Sequence, residues 1–109
     1  MKSGPIDPLV CPISYTVSIV RGKWQWVILW LLYTEKVQRY GELKKRLPTI
    51  SHKMLSQQLS SLEQEELIHR EEYPQIPPKV EYSLTEKGKT MIPVLEIMAE
   101  WGRRYSSQA

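Results

Sequence analysis

Apolar residues recur at helical spacing through the first half of the chain. The pattern predicts a short helix over 12–20 and a second over 23–34, whose apolar residues surround most of its circumference. A third predicted helix begins at Tyr40 and stops before Pro48. Pro12 suits a first turn because the N–H group that proline lacks has no helical partner there. The second helix is therefore expected at the centre of the core.

A fourth helix is predicted from Ser51 to Glu65. Ser51 is a good N-cap, and Ile50 and Leu55 have the spacing of a hydrophobic staple, which fixes how the helix enters. The apolar and polar positions of this helix separate onto opposite sides, with Leu55, Leu59 and Leu62 on one and Lys53, Gln57, Ser60 and Gln64 on the other. We expect the leucines to hold the helix on the core while its polar side faces outward.

After Leu67 the apolar period changes from helical to alternating, which predicts two strands, Ile68 to Tyr73 and Lys79 to Leu84. Three prolines in the intervening run 74–78 predict a rigid projecting hairpin tip. Two helices joined by a tight turn and followed by a two-stranded ribbon are typical of a winged helix-turn-helix. The predicted fold class is mainly α with a small β-hairpin wing.

A last helix is predicted from its cap, Thr85, to about Tyr105, with a kink near Pro93. Its apolar residues sweep an arc of about 220°, whereas a helix with one buried face needs about 100°. The surplus favours burial against a second copy, since two-fold homodimers are the commonest oligomers. The residues expected at this dimer interface, on the first and last helices, are Ile13, Val17, Met98, Trp101 and Tyr105.

Length and composition are typical of one domain over 1–109, since the chain has 109 residues, 41% of them hydrophobic and 25% charged. Residues 1–10 are expected to form a flexible arm. The first residues lack the apolar run of a signal peptide, and the longest apolar stretch, 27–33, is much shorter than the roughly 20 residues of a membrane span. We therefore expect a cytoplasmic protein.

Few residues offer catalytic or metal-binding chemistry. Cys11 is the single cysteine, so an internal disulfide and a CxxC metal site are excluded. His52 and His69 lie far apart in sequence, without a carboxylate cluster at ligand spacing. We expect no enzyme, no metal and no cofactor. The four tryptophans are interpreted as core and interface residues whose rings could also line a small-molecule pocket, namely Trp24, Trp26, Trp30 and Trp101.

Positive charge is concentrated in the segment 36–53, where six Lys and Arg residues accompany one acid and give a local charge of +5, while the whole chain carries +3. Such a concentration is the electrostatic footprint of a surface that meets phosphates. The residues expected at phosphates are the cations Arg39, Lys44, Lys45 and Arg46, together with Thr49, Ser51 and, on the wing, Lys79. Helix geometry lets only part of the run 44–46 face one way, so one or two contacts are expected from it. A solvated charged face is the alternative for the basic run, and an ordinary hairpin lysine is the alternative for Lys79.

The outward side of the fourth predicted helix carries side chains suited to base edges. Glutamine can pair bidentately with adenine, lysine can donate to guanine, and methionine offers an apolar surface to the thymine methyl group. The residues expected at the major groove are Lys53, Met54, Gln57, Gln58 and Ser61. The alternative is a solvated polar face, which most helices possess.

Several blocks of the sequence, taken in order, resemble the HxlR-type regulators, small winged helix-turn-helix transcription factors related to the MarR-like proteins. These blocks are Cys11-Pro12, Gly22-Lys23-Trp24, Arg39-Tyr40-Gly41-Glu42-Leu43, Ile50 to Leu59, Tyr73 to Thr85 and Trp101-Gly102. They extend over most of the chain, without a departure in the DNA-binding blocks. The resemblance implies a homodimer joined by its first and last helices, with two recognition helices in successive major grooves and wings on the flanking DNA.

Cys11 precedes Pro12 at a predicted helix N-terminus, where the helix dipole and unpaired N–H groups favour thiolate over thiol. Thiolate is the form that oxidants and electrophiles attack. The resemblance implies a sensing role, since several HxlR-type regulators use a cysteine at this position to detect quinones, aldehydes or oxidants. The alternative is a small residue at the dimer interface that is never modified.

Two functional hypotheses remain at this point. The first is a dimeric transcriptional regulator that binds an inverted repeat in double-stranded DNA and responds to oxidants or electrophiles through Cys11. The second is a winged helix that serves as a protein–protein interaction module. A protein-binding surface would more often expose an apolar patch where this chain has basic residues and glutamines, so the pattern favours the first hypothesis.

Overall fold

The computed structural model describes residues 4, 5, 7 and 11–107, so the arm expected over 1–10 lies mostly outside the described residues. The helices are α1 (Pro12–Val20), α2 (Gln25–Thr34), α3 (Tyr40–Arg46), α4 (His52–Gln64), α5 (Glu86–Thr90) and α6 (Ile92–Tyr105). The strands are β1 (Gln38–Arg39), β2 (Ile68–Tyr73) and β3 (Lys79–Leu84). Within the described part of the chain, no helix is both long enough and apolar enough to cross a membrane.

The three strands form one antiparallel sheet in the order β1, β3, β2. Strands β2 and β3 pair along their whole length, from Ile68 opposite Leu84 to Tyr73 opposite Lys79, and the run 74–78 joins them at the tip. The predicted helix-turn-helix and β-hairpin wing are therefore confirmed. β1 was not predicted, since two residues are too few to show an alternating pattern.

Two predicted boundaries were wrong. α2 begins at Gln25 and not at residue 23, because residues 21–24 form the turn that joins it to α1. The last predicted helix is two helices, α5 and α6, separated by Met91. Pro93 explains the break, since it has no N–H group to donate to the carbonyl of Lys89 and its ring would collide with that carbonyl. Proline is tolerated in the first turn, where α6 has it.

The hydrophobic core surrounds α2, whose Ile28 and Leu29 are fully buried. The other elements contribute apolar residues to the same cluster, namely Ile19, Leu43, Leu47, Ile50, Leu55, Leu59, Leu62, Leu67, Ile68, Tyr82, Ile92 and Leu95. Burial of this apolar area is the main favourable contribution to folding. The core therefore fixes α4 and the sheet against a common central helix.

Gly88 marks a close approach in this arrangement. A Cβ atom at this position would lie 2.0 Å from the carbonyl oxygen of Leu67, a distance at which the backbone would have to move. Thr85 caps α5 as predicted, because its hydroxyl accepts the N–H of Gly88 at 2.9 Å. The same hydroxyl donates to the carbonyl of Glu66 at 2.6 Å. Thr85 and Gly88 thus join the start of α5 to the chain that leaves α4.

Candidate nucleic-acid interface

Helix α4 is held on the core by its cap and by its leucines. The Ser51 hydroxyl accepts the N–H of Met54 at 3.0 Å, as expected of an N-cap. Ile50 and Leu55 are both buried, as the staple predicted. Leu59 and Leu62 continue the buried stripe. The side of α4 away from this stripe is therefore free of core contacts and faces outward.

The outward face of α4 carries the residues that the sequence placed at the bases. Lys53 and Gln57 are exposed and lie nearly opposite the leucine stripe. Met54, Gln58 and Ser61 lie on one flank of that face, and the Gln58 side-chain amide contacts the Met54 sulfur at 3.3 Å. These five residues define the recognition face. It combines one cation, two amides, one hydroxyl and one polarisable apolar group, which is a set able to distinguish bases in the major groove.

The N-terminus of α4 offers backbone donors to an anion. An α-helix leaves its first N–H groups without helical partners, and the Ser51 hydroxyl takes that of Met54. The N–H groups of His52 and Lys53 remain for a phosphate. Thr49 is exposed in the turn before the cap. The Ser51 hydroxyl, expected at a phosphate, is thus engaged as the cap of α4.

A contact that the sequence did not reveal joins the start of α3 to the start of α4. The rings of Tyr40 and His52 stack with an interplanar angle of 16°, and the Tyr40 hydroxyl lies 3.0 Å from His52 Nδ1 and 3.2 Å from the His52 carbonyl oxygen. The two residues are 12 apart in sequence, so only the fold brings them together. This pair fixes the angle between the two helices at the end of α4 that would approach DNA.

The basic residues in and next to α3 differ in whether their side chains have partners within the protein. Arg46, expected at a phosphate, instead forms an ion pair with Glu35, the C-cap of α2. Lys44 is half-buried, and its ammonium donates to the Pro48 carbonyl oxygen at 3.4 Å. Lys45 is exposed and, among the described residues, its ammonium meets no acceptor. Arg39 is exposed at the first end of α3, where its backbone N–H donates to the Glu42 carboxylate at 2.8 Å. Lys45 and Arg39 are therefore the exposed cations of 39–46 that form no ion pair within the described part of the chain.

Lys79 on the wing already has partners within the protein, so it is not free to bind a phosphate. Its ammonium lies 4.4 Å from the centre of the Tyr73 ring and 3.8 Å from a Glu81 carboxylate oxygen, and its side chain is 23% exposed. Glu81 also raises the pKa of Tyr73, through a hydrogen bond with the phenol hydroxyl. Lys79 would have to leave both neighbours to reach DNA. The wing tip instead presents Ile76, which is fully exposed.

Apolar side chains are exposed on α1 and α6, where the sequence predicted a dimer interface. Ile13 is 70% exposed on α1, and Trp101 is 67% exposed on α6. Val17, Met98 and Tyr105 are exposed as well, and the Trp101 and Tyr105 rings contact each other with centroids 5.0 Å apart. The residues predicted for the interface therefore all lie at the surface.

Cys11 is the N-cap of α1, as its position before Pro12 predicted. Its carbonyl oxygen accepts the N–H groups of Ser14 at 3.0 Å and Tyr15 at 3.4 Å. The cysteine is half-buried and lies two residues before Ile13 on the exposed apolar surface. A chemical change at Cys11 would therefore occur at the first turn of α1.

A cavity of about 420 Å³ lies between the end of α1, α2 and α6. Its lining is apolar except for one cation, and the residues are Val20, Trp26, Trp30, Leu95, Met98, Ala99 and Arg103. Trp26 and Trp30 thus line a pocket, while Trp24 packs against the core and Trp101 is exposed. In the described residues, no three His, Cys, Asp or Glu side chains come together as metal ligands would.

Comparison with known proteins agrees with this geometry. The model of the HxlR-like helix-turn-helix family matches residues 19–109. The chain is 56% identical over 93 residues to a protein of Fusobacterium mortiferum named as a regulatory protein, MalR, a match that covers 85% of this chain and 88% of MalR.

Two solved structures are similar to this chain in both fold and sequence. The redox regulator HypR in its oxidised form superposes with a TM-score of 0.79 at 39% identity, over 89% of this chain and 99% of HypR. The reduced form of the transcriptional regulator YodB from Bacillus subtilis has a TM-score of 0.80 at 33% identity, over 92% of this chain and 98% of YodB. With the winged helix-turn-helix, the family match and these relatives established, the chain belongs to the HxlR-like helix-turn-helix family of transcriptional regulators.

Proposed function

We propose that this protein is a dimeric transcriptional regulator that binds specific DNA sequences through α4. The observation that carries the proposal is the recognition face, on which Lys53 and Gln57 point outward from a capped helix while leucines anchor its other side. The segment 36–53 supplies the accompanying positive charge. Membership of the HxlR-like family supports the same conclusion.

The recognition face and the cations of α3 have different tasks in this proposal. Gln57, Gln58, Lys53, Met54 and Ser61 contact base edges in the major groove and select the sequence. Arg39, Lys45 and the N-terminus of α4 contact phosphates and fix the position of the protein on the duplex. Lys44 and Lys79 assist only where DNA draws them from their present partners.

The proposed homodimer follows from the exposed apolar residues of α1 and α6. Burial of these residues against a second copy places two recognition helices in a two-fold arrangement. Such a dimer binds an inverted repeat whose half-sites lie about one helical turn apart, roughly 34–36 Å. The operator is therefore expected to be a palindrome.

Selection of genomic fragments by the purified protein tests the proposal. The fragments are bound at moderate salt, washed with competitor DNA and sequenced. Enrichment of one inverted repeat is the expected result. Retention of fragments without a common sequence would contradict sequence-specific binding and would leave the winged helix as a protein-interaction module.

We further propose that Cys11 senses oxidants or electrophiles. Support comes from its place at the first turn of α1 and from the similarity to HypR, which is named a redox regulator. In a dimer, two Cys11 thiols would give two electrons and two protons to diamide and form one disulfide, whereas a quinone would add to a single thiol.

Repetition of the selection after diamide or quinone treatment tests the sensing role. Treatment is expected to remove or change the enriched sites for the wild type and to leave those of Cys11→Ser unchanged. An equal response of Cys11→Ser and wild type would show that the signal acts elsewhere.

A further inference from the structure

Three side chains from three helices meet at the C-terminal end of α4. The Tyr15 hydroxyl donates to a Glu65 carboxylate oxygen at 3.1 Å and accepts from the Lys87 ammonium, whose nitrogen lies 3.0 Å away. The same ammonium donates to the Glu65 backbone carbonyl at 2.8 Å. Tyr15, Glu65 and Lys87 are called the Tyr15 cluster below.

Each member of the Tyr15 cluster belongs to a different element. Tyr15 lies in α1, Glu65 is the C-cap of α4, and Lys87 lies in α5. A cation near the last carbonyls of a helix interacts favourably with the helix dipole, so Lys87 suits this end of α4. The hydrogen bond with Tyr15 is the main cause that raises the pKa of Lys87 and favours its charged form.

The opposite face of α1 is the one proposed for the dimer interface. At about 100° per residue, Tyr15 lies about 160° around the helix from Ile13 and from Val17. A helix of nine residues is short and stiff, so a movement imposed on one face must displace the other. The Cys11 carbonyl accepts the N–H of Tyr15, which places the proposed sensor on the same turn.

We propose that the Tyr15 cluster couples the dimer interface to the recognition helix, so that a movement of α1 changes the position of α4 relative to DNA. The proposal rests on the proposed DNA-binding function and names the contact that would regulate it. In this role Tyr15 is a positioning residue, since it acts on DNA only through Glu65 and α4.

The structure separates this role from a general contribution to folding. The chain that follows α4 is also held by the Thr85 hydroxyl, which donates to the Glu66 carbonyl, and by the Thr85 N–H, which donates to the Leu67 carbonyl at 3.2 Å. These bonds do not involve α1. Loss of the Tyr15 hydroxyl would therefore remove the hydrogen bonds that α1 makes to Glu65 and Lys87. The Lys87 ammonium would still lie 5.6 Å from the ring centre, and the junction of α4 with α5 would stay in place.

The first test compares Tyr15→Phe with Tyr33→Phe. Both changes delete one hydroxyl from a partly exposed tyrosine, and Tyr33 contacts the Trp30 ring and Lys36 instead of the members of the Tyr15 cluster. Because the Tyr15 hydroxyl makes two hydrogen bonds, Tyr15→Phe is expected to weaken binding to the selected operator about fivefold or more, with little change for unrelated DNA. Tyr33→Phe is expected to bind both DNAs like the wild type.

The second test is a double-mutant cycle between the two faces of α1. Val17→Ala alters the proposed dimer interface and is measured in the wild-type and the Tyr15→Phe backgrounds. Weaker dimerisation alone would multiply the operator Kd by the same factor in both backgrounds. If the Tyr15 cluster couples the dimer interface to α4, Val17→Ala should raise the operator Kd by a smaller factor in the Tyr15→Phe background than in the wild type. The two factors are expected to differ by about threefold or more.

Equal factors in the two backgrounds, or unchanged operator binding by Tyr15→Phe, would overturn the coupling. Amide hydrogen exchange over 61–65 gives a measurement that needs no operator. Tyr15→Phe is expected to exchange faster there than Tyr33→Phe, and equal exchange would also count against the cluster. If wild-type protein preferred no DNA sequence, the proposed function would fail, and hydrogen exchange would still decide whether Tyr15 holds the end of α4.

Discussion

Individual side chains near α4 separate into two chemical groups, those that can distinguish bases and those that can only neutralise phosphates. Gln57 carries both a donor and an acceptor on an outward-facing side chain, whereas Lys45 carries only charge. Base contacts contribute to specific complexes alone, while phosphate contacts contribute to every complex with DNA. The two residues are therefore expected to give different signatures when removed.

Gln57→Ala is expected to weaken operator binding by about 1–3 kcal/mol and to relax the preference at one base position in each half-site. Binding to unrelated DNA should change little. Fluorescence anisotropy with the operator and a scrambled duplex checks both effects. Equal losses on the two duplexes would remove Gln57 from the recognition face.

Lys45→Ala is expected to weaken binding to the operator and to the scrambled duplex alike. Each phosphate contact contributes about 0.9 to the slope of log K against log salt concentration, so a dimer that loses two contacts should show a slope smaller by about 2. Arg46→Ala is the matched control, since Arg46 is paired with Glu35 and should leave the slope nearly unchanged. A salt series of Kd values decides between these outcomes.

Substitution by alanine is expected to have opposite effects on stability at Gly88 and at Gly41. Gly88→Ala is expected to destabilise the protein by at least about 2 kcal/mol, because the new methyl group would collide with the Leu67 carbonyl. Gly41 lies in α3, and a methyl group there would have nothing within 4 Å. Gly41→Ala is therefore expected to raise the free energy of unfolding by about 0.5–1 kcal/mol. Urea denaturation at one fixed protein concentration measures both. A stable Gly88→Ala would contradict the close approach.

At the scale of elements, the signals that are local in sequence gave the right structure. α4 was predictable because its cap, its staple and its leucines all lie within 13 residues of one another. The wing was predictable from two alternating runs on either side of three prolines. The break at Met91 was read only as a kink, although Pro93 marked its place, because sequence alone does not show whether a proline bends a helix or ends it.

Features that depend on packing could not be predicted. The ion pair of Arg46 with Glu35 and the stack of Tyr40 on His52 join residues 11 and 12 positions apart. The contact of Tyr15 with Glu65 spans 50 positions. No periodic pattern indicates such partners, because they are set by the angles at which helices meet. The sequence therefore predicted which side of α4 faces outward, but not which cations have partners within the protein.

The Ser51 cap of α4 is expected to contribute both to stability and to DNA binding. Ser51→Ala is expected to destabilise the protein by about 1 kcal/mol and to weaken all DNA binding, because the Met54 N–H loses its acceptor at the end of the helix proposed to meet a phosphate. Ser56→Ala, an exposed change in the middle of α4, should raise stability slightly, since alanine has a higher helix propensity than serine. Denaturation midpoints and Kd values for the two variants provide the comparison.

At the scale of the whole molecule, the exposed apolar surfaces of α1 and α6 determine the expected assembly. Trp101→Glu is expected to convert a dimer to a monomer, because a charge would have to be buried at the interface. Ile76→Glu is the control, since Ile76 is fully exposed at the wing tip and far along the sheet from either helix. Sedimentation at micromolar concentration measures both, and a dimeric Trp101→Glu would place the interface elsewhere.

The central claim is that two copies of α4 contact two half-sites on one face of the DNA. The first measurement is the Kd of the wild-type protein for the selected operator and for a version with about 5 bp inserted between its half-sites, which rotates one half-site by about half a turn. The insertion is expected to reduce the affinity to nearly that of unrelated DNA. Unchanged affinity would contradict it, since the two recognition helices could not then act together on a fixed spacing.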